Sequence, residues 1–348
     1  MRFQTLLKTA TILSVCGTIC VHAGISAANA AVKKTGIAID AKTFPDAAFR
    51  EIIKKQADKN GDGRLSETEI QKATKLDILI QHKKGHPGYG AADQELFNHQ
   101  GNNFTYDGKT MDFTGMETLQ NLEKIRIHNI EPSNLPFQKL KKLKTFEISA
   151  APALEFDFSK ALGLKKVAIM HSGVKGKKLD FSANTQLTEI CVGACKVSRA
   201  DLGENSRLKK LEIYACGLKD IDLSGCKNLE YVYLSDNQLD SLDISGNQKL
   251  KELYLQQNLL KKLDLSGNRQ LEQLFIDGNP FAAIDSRTLA VADNCKLSML
   301  WADHLKKCKE IDVSYIPSLT TIYARSGNYE RMKIGEELRS ADMSSSKI

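Results

Sequence analysis

The sequence lacks the motifs that would mark it as an enzyme. It contains no GxSxG and no HExxH segment, and the six cysteines after residue 30 match no zinc-binding spacing. Cys191 is the one candidate nucleophile, and nothing in the sequence supplies a base to activate it. After residue 25 there is no second long hydrophobic run, so no membrane span is expected there. These absences favour a binding protein over an enzyme or an integral membrane protein.

The chain begins with the features of a secretory signal peptide. Arg2 and Lys8 precede an apolar run over residues 9–25, and Ala28 and Ala30 form an AxA site. This order predicts a signal peptide over residues 1–30, removed before Ala31, and a secreted or cell-surface protein without a transmembrane anchor, with the periplasm left open. The remaining chain has 47 basic and 42 acidic side chains. Its lysine clusters could contact anionic surfaces, but export argues against a nucleic-acid partner.

One pattern occurs four times between Leu208 and Ile284. The copies begin at Leu208, Leu229, Leu250 and Leu271, so the pattern recurs at a constant spacing. In each copy apolar and polar residues alternate over a short stretch, which is typical of a strand with one buried face. Because so short a segment cannot bury its own apolar side chains, the copies must stack and share one continuous core. The sequence therefore predicts a solenoid with one parallel strand per copy.

Polar residues also recur at fixed positions of the copies. Asparagines follow the strand, where a buried amide can satisfy turn backbone groups, and two earlier copies carry cysteine there: Asn237, Asn258, Asn279, Cys195 and Cys216. Aspartates recur in the return segment at Asp222, Asp243 and Asp264. They could suggest a line of metal ligands, but bonding to nearby backbone at turns is the favoured interpretation. Disulfide connectivity among the cysteines stays open.

The pattern LxxLxLxxNxL at a period of about 21 residues resembles the leucine-rich repeat. The resemblance implies an α/β solenoid, a horseshoe with a parallel sheet on its concave face. Leading leucines place about ten copies over residues 111–330: Leu122, Leu143, Leu164, Leu187, Leu208, Leu229, Leu250, Leu271, Leu297 and Leu319. We expect residues 331–348 to form a C-terminal cap and tail.

Residues 31–80 contain a calcium-loop motif between two apolar-faced segments. Residues 58–69 read DKNGDGRLSETE, with oxygen ligands at positions 1, 3, 5 and 9, glycine at 6 and glutamate at 12. We therefore predict that Ca²⁺ is bound by Asp58, Asn60, Asp62, Ser66 and Glu69 together with the backbone carbonyl of Arg64. A single such loop suits a structural site in an N-terminal helical EF-hand-like cap, and the arrangement resembles bacterial secreted repeat proteins in the style of internalins.

The repeat pattern is lost over residues 81–110. This insertion is rich in glycine and asparagine and contains His82, His86 and His99, which could contribute to a zinc or copper site. Because Gly85, Pro87 and the other glycines oppose a helix, a long surface loop is the favoured interpretation.

The outward strand position becomes aromatic in the last five copies. It is occupied by Tyr233, Tyr254, Phe275, Trp301 and Tyr323, and neighbouring outward positions add Tyr214, Tyr231, Asp277 and Asp303. Aromatic residues favour strands in general, but five in a row on a face that packs against nothing in the solenoid predict an exposed apolar patch. Such patches mark interaction sites. We expect a monomer that binds a protein partner here, in adhesion or cell-surface recognition. The alternative is a carbohydrate or cell-wall ligand stacked on the same rings.

Overall fold

The computed structural model describes residues 35–81, 103–105 and 108–346. The predicted signal peptide, the histidines of the insertion and the last two residues lie outside this part of the chain. Its first elements are two helices, α1 (Ala47–Gln56) and α2 (Glu67–Lys72), with a small antiparallel pairing of Ile37–Ala38 and Arg64–Leu65. Phe49, Ile52 and Ile53 of α1 are buried, as their spacing predicts.

Both helices begin at a side chain that satisfies their first backbone N–H groups. Asp46 accepts hydrogen bonds from the N–H of Ala48 and Phe49 at the start of α1. Ser66 begins α2 in a capping box with Glu69, so each residue bonds the backbone of the other. Asp46 also accepts a hydrogen bond from the N–H of Asp112 at 3.1 Å, which ties this region to the solenoid.

One parallel sheet runs through the described part of the solenoid, hereafter the long sheet. Its 13 strands are Lys75–Gln81, Asn103–Thr105, Lys124–His128, Thr145–Ser149, Lys166–Met170, Glu189–Gly193, Lys210–Tyr214, Tyr231–Tyr233, Glu252–Tyr254, Gln273–Phe275, Met299–Trp301, Thr321–Tyr323 and Ser340–Asp342. Ten of them lie where the ten leading leucines predict. The predicted solenoid, with a parallel sheet and one strand per repeat, is confirmed.

The opposite side of the solenoid carries short strands and single turns of 3-10 helix. The strands pair in four small parallel groups: Thr110–Asp112 with Glu131–Ser133; Lys178–Asp180 with Arg199–Asp201; Leu263–Leu265 with Leu289–Val291; and Ala283–Ile284, Glu310–Asp312 and Arg331–Lys333 together. The 3-10 turns are Met116–Thr118, Phe137–Lys139, Phe158–Lys160 and Lys175–Lys177. The apolar core lies between these segments and the long sheet.

Two segments differ from the sequence prediction. Residues 103–105, expected in a surface loop over 81–110, form a strand beside Lys75–Gln81, where Phe104 packs against the core. Residues 331–348, expected as a cap and tail, contribute Arg331–Lys333 and Ser340–Asp342 as further strands of the solenoid. There Leu338 takes the position of a leading leucine and packs against the core, while Ala341 is exposed because no further copy covers it in the described chain.

The asparagine position after the strand joins each copy to the one before it. Asn237 accepts hydrogen bonds at Oδ1 from the N–H of Cys216, Gly217 and Leu218, and its Nδ2 donates to carbonyls that include Ile213 O at 2.7 Å. Asn258 and Asn279 repeat this arrangement. In the position of the amide, the thiol of Cys216 donates to Tyr214 O at 3.1 Å. The prediction that these asparagines bond backbone groups at the turn is confirmed.

A second asparagine position, in the return segment, uses only its donor. Nδ2 of Asn205 donates to Phe181 O and Leu202 O, and Asn184, Asn247 and Asn268 make similar bonds. Their Oδ1 atoms are buried and accept no hydrogen bond from the described residues. The aspartates in the same segment bond backbone: Asp222, Asp243 and Asp264 each accept from the N–H two residues later.

No helix within the described ranges is long and apolar enough to cross a membrane.

A buried ion pair connects the first strand of the long sheet to the next copy. Nε of Arg126 lies 2.7 Å from Oδ1 of Asp77, and both residues are at most 7% exposed. Lys75 adds a second, more exposed contact to Asp77 at 2.9 Å. The side chain of Gln56, at the end of α1, bonds both the backbone N–H and the carbonyl of Asp77. This cluster therefore joins the helical region to the sheet.

Asp77→Ala is expected to lower the free energy of unfolding by roughly 3–5 kcal/mol, because Arg126 stays buried without that carboxylate. Lys75→Ala, which removes the exposed partner, should cost below about 1 kcal/mol. Urea unfolding of both variants checks this, and equal effects would contradict it.

Burial opposes ionisation of Asp77, but hydrogen bonds from Arg126 and Lys75 outweigh it and hold the pKa below its usual 3.8. The pair's contribution is therefore present above pH 3.8 and is lost as pH falls through the lowered pKa.

Candidate functional site

The five aromatic residues of the predicted surface stand opposite one another on consecutive strands of the long sheet. The strand register pairs each with the next along the chain: Tyr233, Tyr254, Phe275, Trp301 and Tyr323. Each aromatic side chain is half-buried, whereas the residue directly before it, at the centre of the same strand, is buried. We call this set the aromatic ridge.

The rings of the ridge stack on one another. Ring centroids are 4.4 Å apart for Tyr254 and Phe275, 5.3 Å for Phe275 and Trp301, and 4.0 Å for Trp301 and Tyr323, with interplanar angles of 11°, 21° and 17°. Because each ring lies against the ring on the next strand, the stack runs along the sheet. The ring faces therefore cover each other, and the ring edges point away from the sheet.

The ridge changes character at its other end. Tyr233 is tilted 40° from Tyr254, and Tyr231 is tilted 39° from the same ring. Tyr214 then lies perpendicular to Tyr233 at 5.4 Å. Its hydroxyl reaches over the bare backbone of Gly193 to within 3.9 Å of the sulfur of Met170. A Cβ at Gly193 would meet the Tyr214 ring at 2.4 Å, so this glycine makes room for the ring.

The remaining outward face of the long sheet is charged and internally paired. Ion pairs cross from strand to strand, and the described ones include Lys124 with Glu147 at 2.6 Å and Lys166 with Glu189 at 2.8 Å. Lys210 similarly pairs with Glu212 at 2.8 Å within one strand. Because these charges neutralise one another, this half of the face offers less unpaired charge to a partner than its composition suggests.

Two aspartates flank the ridge and differ in their surroundings. Asp303 accepts hydrogen bonds from Nε and Nη2 of Arg325 at 2.8 and 2.6 Å and from Nε1 of Trp301 at 2.8 Å. Burial opposes ionisation of Asp303, but these bonds outweigh it and lower its pKa. Oδ1 of Asp277 accepts a hydrogen bond from the backbone N–H of Asp303 at 3.2 Å. Burial, with the charge of Asp303, raises the pKa of Asp277 to about 6.

The predicted calcium loop is folded around its own side-chain oxygens. Asp58 accepts hydrogen bonds from the N–H of Gly61 and Gly63, Asn60 from that of Asp62, and Asp62 from that of Arg64. Gly63 has φ 77°, in the left-handed region that glycine adopts without strain. The carboxylate of Glu69 reaches back across the loop to the N–H of Lys59 and Asn60 at 2.7 and 3.2 Å.

The candidate ligand atoms of the loop suit a hard cation such as Ca²⁺ because all of them are oxygen atoms. Burial opposes ionisation of Glu69, but hydrogen bonds from Ser66, Asn60 and Lys59 outweigh it and lower the pKa of this carboxyl to about 2. Glu69 is therefore ionised near neutral pH, as a calcium ligand must be. Over the described ranges, no group of three or more His, Cys, Asp or Glu side chains is gathered as a metal cluster. Calcium binding accordingly stays a prediction.

All six described cysteines are free thiols. Cys191 lies on the outward face, and burial, aided by Glu212, raises the pKa of its thiol to about 12. A thiol with this pKa is protonated near neutral pH and is a poor nucleophile. This disfavours the one nucleophile that the sequence suggested.

The structure adds residues that the sequence analysis did not assign to the surface. Asp342, on the last strand, continues the ridge position next to Tyr323. Its Oδ2 lies 3.9 Å from Nε of Arg325. The signal in the sequence was Leu338, a leading leucine four residues before Asp342. Gly193 and Met170 were also missed, because their role depends on the tilt of Tyr214.

Comparison with known proteins places the fold. No family model and no curated protein matches this chain. Solved structures do: the leucine-rich repeat domain of APL1B is 19% identical with a TM-score of 0.52, and the match covers 65% of this chain and 73% of that one. A structure of FLRT2 in an octameric complex with Latrophilin 3 and Unc5D is 14% identical with a TM-score of 0.52, covering 65% and 75%.

Bacterial structures of this type also match. The functional domain of InlJ from Listeria monocytogenes is 18% identical with a TM-score of 0.49, and the match covers 90% of this chain and 72% of that one. At these identities the comparisons concern the fold and leave the ligand open. Together with the parallel sheet and the repeat period of about 21 residues, the two matches to APL1B and FLRT2 identify the architecture of this chain as a leucine-rich repeat solenoid.

Proposed function

We propose that this protein is an exported binding module that docks another protein on the aromatic ridge, in adhesion or cell-surface recognition. The observation that carries the proposal is the stack from Tyr254 to Tyr323, a continuous apolar edge on a sheet face that no other described element covers. Aromatic side chains supply much of the binding energy at protein interfaces. Export rests on the sequence of residues 1–30.

The ring orientation favours a protein over a carbohydrate. A sugar ring packs its C–H groups against an open aromatic face, where the electron density lies. In the stack, the faces of Phe275 and Trp301 are covered on both sides by neighbouring rings. The exposed ring edges form a narrow apolar line that suits the side chains of a protein surface. Carbohydrate or cell-wall binding is the competing proposal. A sugar ring would fit best against Tyr231 and Tyr233, because these rings are tilted and their faces are less covered by their neighbours.

We also propose that the loop over residues 58–69 holds a structural calcium ion. Support comes from the complete order of oxygen ligands and from the ionised Glu69. The loop is connected to the rest of the cap by the bond from Ile39 N–H to Gly63 O at 3.0 Å. In this proposal calcium stiffens the helical region over the first strand of the solenoid and takes no part in the contact with the partner.

Site-specific photocrosslinking tests the class of partner. A benzoylphenylalanine replaces Phe275 in one variant and the exposed Leu259 in a matched control, and both are applied to intact cells and to a glycan array. We expect protein adducts at position 275 that are absent at position 259, and no glycan binding. Retention of defined glycans that is lost in Tyr231→Ala and Tyr233→Ala, without protein adducts, would establish the carbohydrate alternative instead.

A further inference from the structure

We propose that the aromatic ridge selects protein partners in which a lysine or arginine side chain flanks an apolar one, and that Asp277 receives the cationic group. This inference rests on the proposed function of the ridge and adds the chemistry of its partner. It commits the surface to a basic, apolar segment of a protein.

The charge around the ridge is opposite to that of the chain. The whole sequence has a formal net charge of +7. The outward positions of the last five strands of the long sheet, and the outward positions that follow those strands, carry four acidic residues and one basic residue: Glu252, Asp277, Asp303, Asp342 and Arg325. The ridge therefore lies in a locally acidic area on a basic protein. Complementary charge across an interface steers association and selects partners.

Asp277 differs from Asp303 and Asp342 because its carboxylate makes no ion pair within the described chain. Asp303 is held by Arg325 and Trp301, and Asp342 lies near Arg325. Glu252 also makes no ion pair within the described chain, but its carboxylate accepts a hydrogen bond from the hydroxyl of Tyr254 at 2.9 Å. The ion pairs found within the described chain include none to Asp277, whose carboxylate accepts the N–H of Asp303. Asp277 is therefore the acid beside Phe275 and Trp301 whose carboxylate can still pair with a cation of the partner.

Its position suits a partner that also touches the ridge. Asp277 is two residues after Phe275 and so lies on the same face of the sheet. A half-buried carboxylate without a counter-ion is costly, and a lysine or arginine from a partner would remove that cost. The raised pKa of Asp277, about 6, is consistent with this environment.

The test uses two peptide sets and the fluorescence of Trp301, the only tryptophan in the sequence. Both sets contain the same leucines and tyrosines; the charged positions are lysine in one set and glutamate in the other. We expect lysine peptides to bind at least about tenfold more tightly at low ionic strength. Nonspecific attraction to a basic chain would favour glutamate peptides, so a lysine preference must be local.

Variants separate this inference from the proposed function. Asp277→Asn should remove most of the lysine preference, while Asp220→Asn, an exposed carboxylate in a return segment with the same change in net charge, should keep it. Tyr254→Ala retains the fluorescence of Trp301 and should weaken the binding of both peptide sets. Equal binding of the two sets, sensitive to Tyr254→Ala, would overturn the charge selection and leave the ridge as a docking surface. No response of Trp301 to either set, or a response unaffected by Tyr254→Ala, would count against both proposals.

The same assay has an expected pH dependence. The charged or titratable groups facing Asp277 are Asp303 and His304 from the next copy, with Arg325 and the buried Tyr329 beyond them. Burial raises the pKa of Tyr329, so its hydroxyl stays neutral in this range, and the preceding copy contributes the uncharged Gln256 and Gln257. Lysine stays charged between about pH 7.5 and 5. As pH falls through about 6, Asp277 takes up a proton and the lysine preference should decline. A preference that is the same at both pH values would contradict a role for this carboxylate.

Discussion

Alanine at both Tyr254 and Trp301 is expected to weaken binding of the protein partner by at least about 100-fold, since buried aromatic anchors at interfaces each contribute about 2 kcal/mol or more. Trp301 stacks on both neighbours and Tyr254 on Phe275, so the double variant interrupts the apolar edge on both sides of that ring. The remaining copies and their core are untouched, because both residues point away from it.

The affinity of the partner identified by crosslinking, measured by calorimetry or biolayer interferometry, checks this result. The double variant loses favourable ring contacts worth about 0.5–1.5 kcal/mol per pair, so its fold must be shown by circular dichroism and thermal unfolding. A matched control is Leu162→Ala with Leu259→Ala, which removes two large apolar side chains that are 62% and 51% exposed. Tyr254→Phe, which keeps the ring, should bind nearly as well as the wild type. Full affinity in the double alanine variant would reject the ridge as the docking surface.

The repeat made most of the fold predictable. A repeated pattern places equivalent side chains at equivalent positions, so strand, core and asparagine positions follow from one copy. The register of the ridge followed in the same way, because parallel strands one copy apart align residue with residue. The strands near Leu338 and at Phe104 were not predicted, because the copies at the ends of the sheet have lost the pattern that identifies the others. Packing against the existing core decides whether such a copy forms a strand.

The orientation of side chains could not be predicted from spacing. The sequence placed the five aromatic residues in a row but did not indicate that Phe275 and Trp301 would stand on edge, which is what separates the two candidate ligand classes. It also counted Asp277 and Asp303 as equivalent. Their difference depends on Arg325, two strands from Asp277, which binds the carboxylate of Asp303 and lies near that of Asp342.

In the proposed calcium loop the sequence predicts the ligands, and the structure shows how hydrogen bonds within the loop hold their oxygen atoms. The backbone N–H groups of Gly61, Gly63 and Arg64 already hold the oxygens of Asp58 and Asp62 in place. Glu69 spans the loop and completes the capping box with Ser66 at the start of α2. These bonds reduce the conformational freedom that calcium would otherwise have to remove on binding.

Calcium at about 10 mM is expected to stabilise the helical region by roughly 2–3 kcal/mol, if the dissociation constant is on the order of 10⁻⁴ M as in extracellular sites. The gain should appear as slower hydrogen exchange over residues 58–69 and a higher Tm, with heat in calorimetry. Magnesium should do much less, because it demands a small, near-ideal octahedral shell and gives up its bound water reluctantly. An unchanged Tm together with no heat on calcium addition would reject the site.

Asp62→Ala separates the metal from the hydrogen bonds of the loop. In the structure Asp62 is exposed and caps the N–H of Arg64, so its loss should change stability without calcium by less than about 1 kcal/mol. Calcium stabilisation should nevertheless disappear, because a central carboxylate ligand is missing. Glu69→Gln is the contrasting variant: an amide has one oxygen and cannot accept from both Ser66 N–H and the N–H groups of Lys59 and Asn60, so it should lower stability even without calcium. Asp40→Ala, an exposed acid outside the loop, should keep the full calcium response. If Asp62→Ala and Asp40→Ala responded to calcium equally, the ion would be acting elsewhere on the chain.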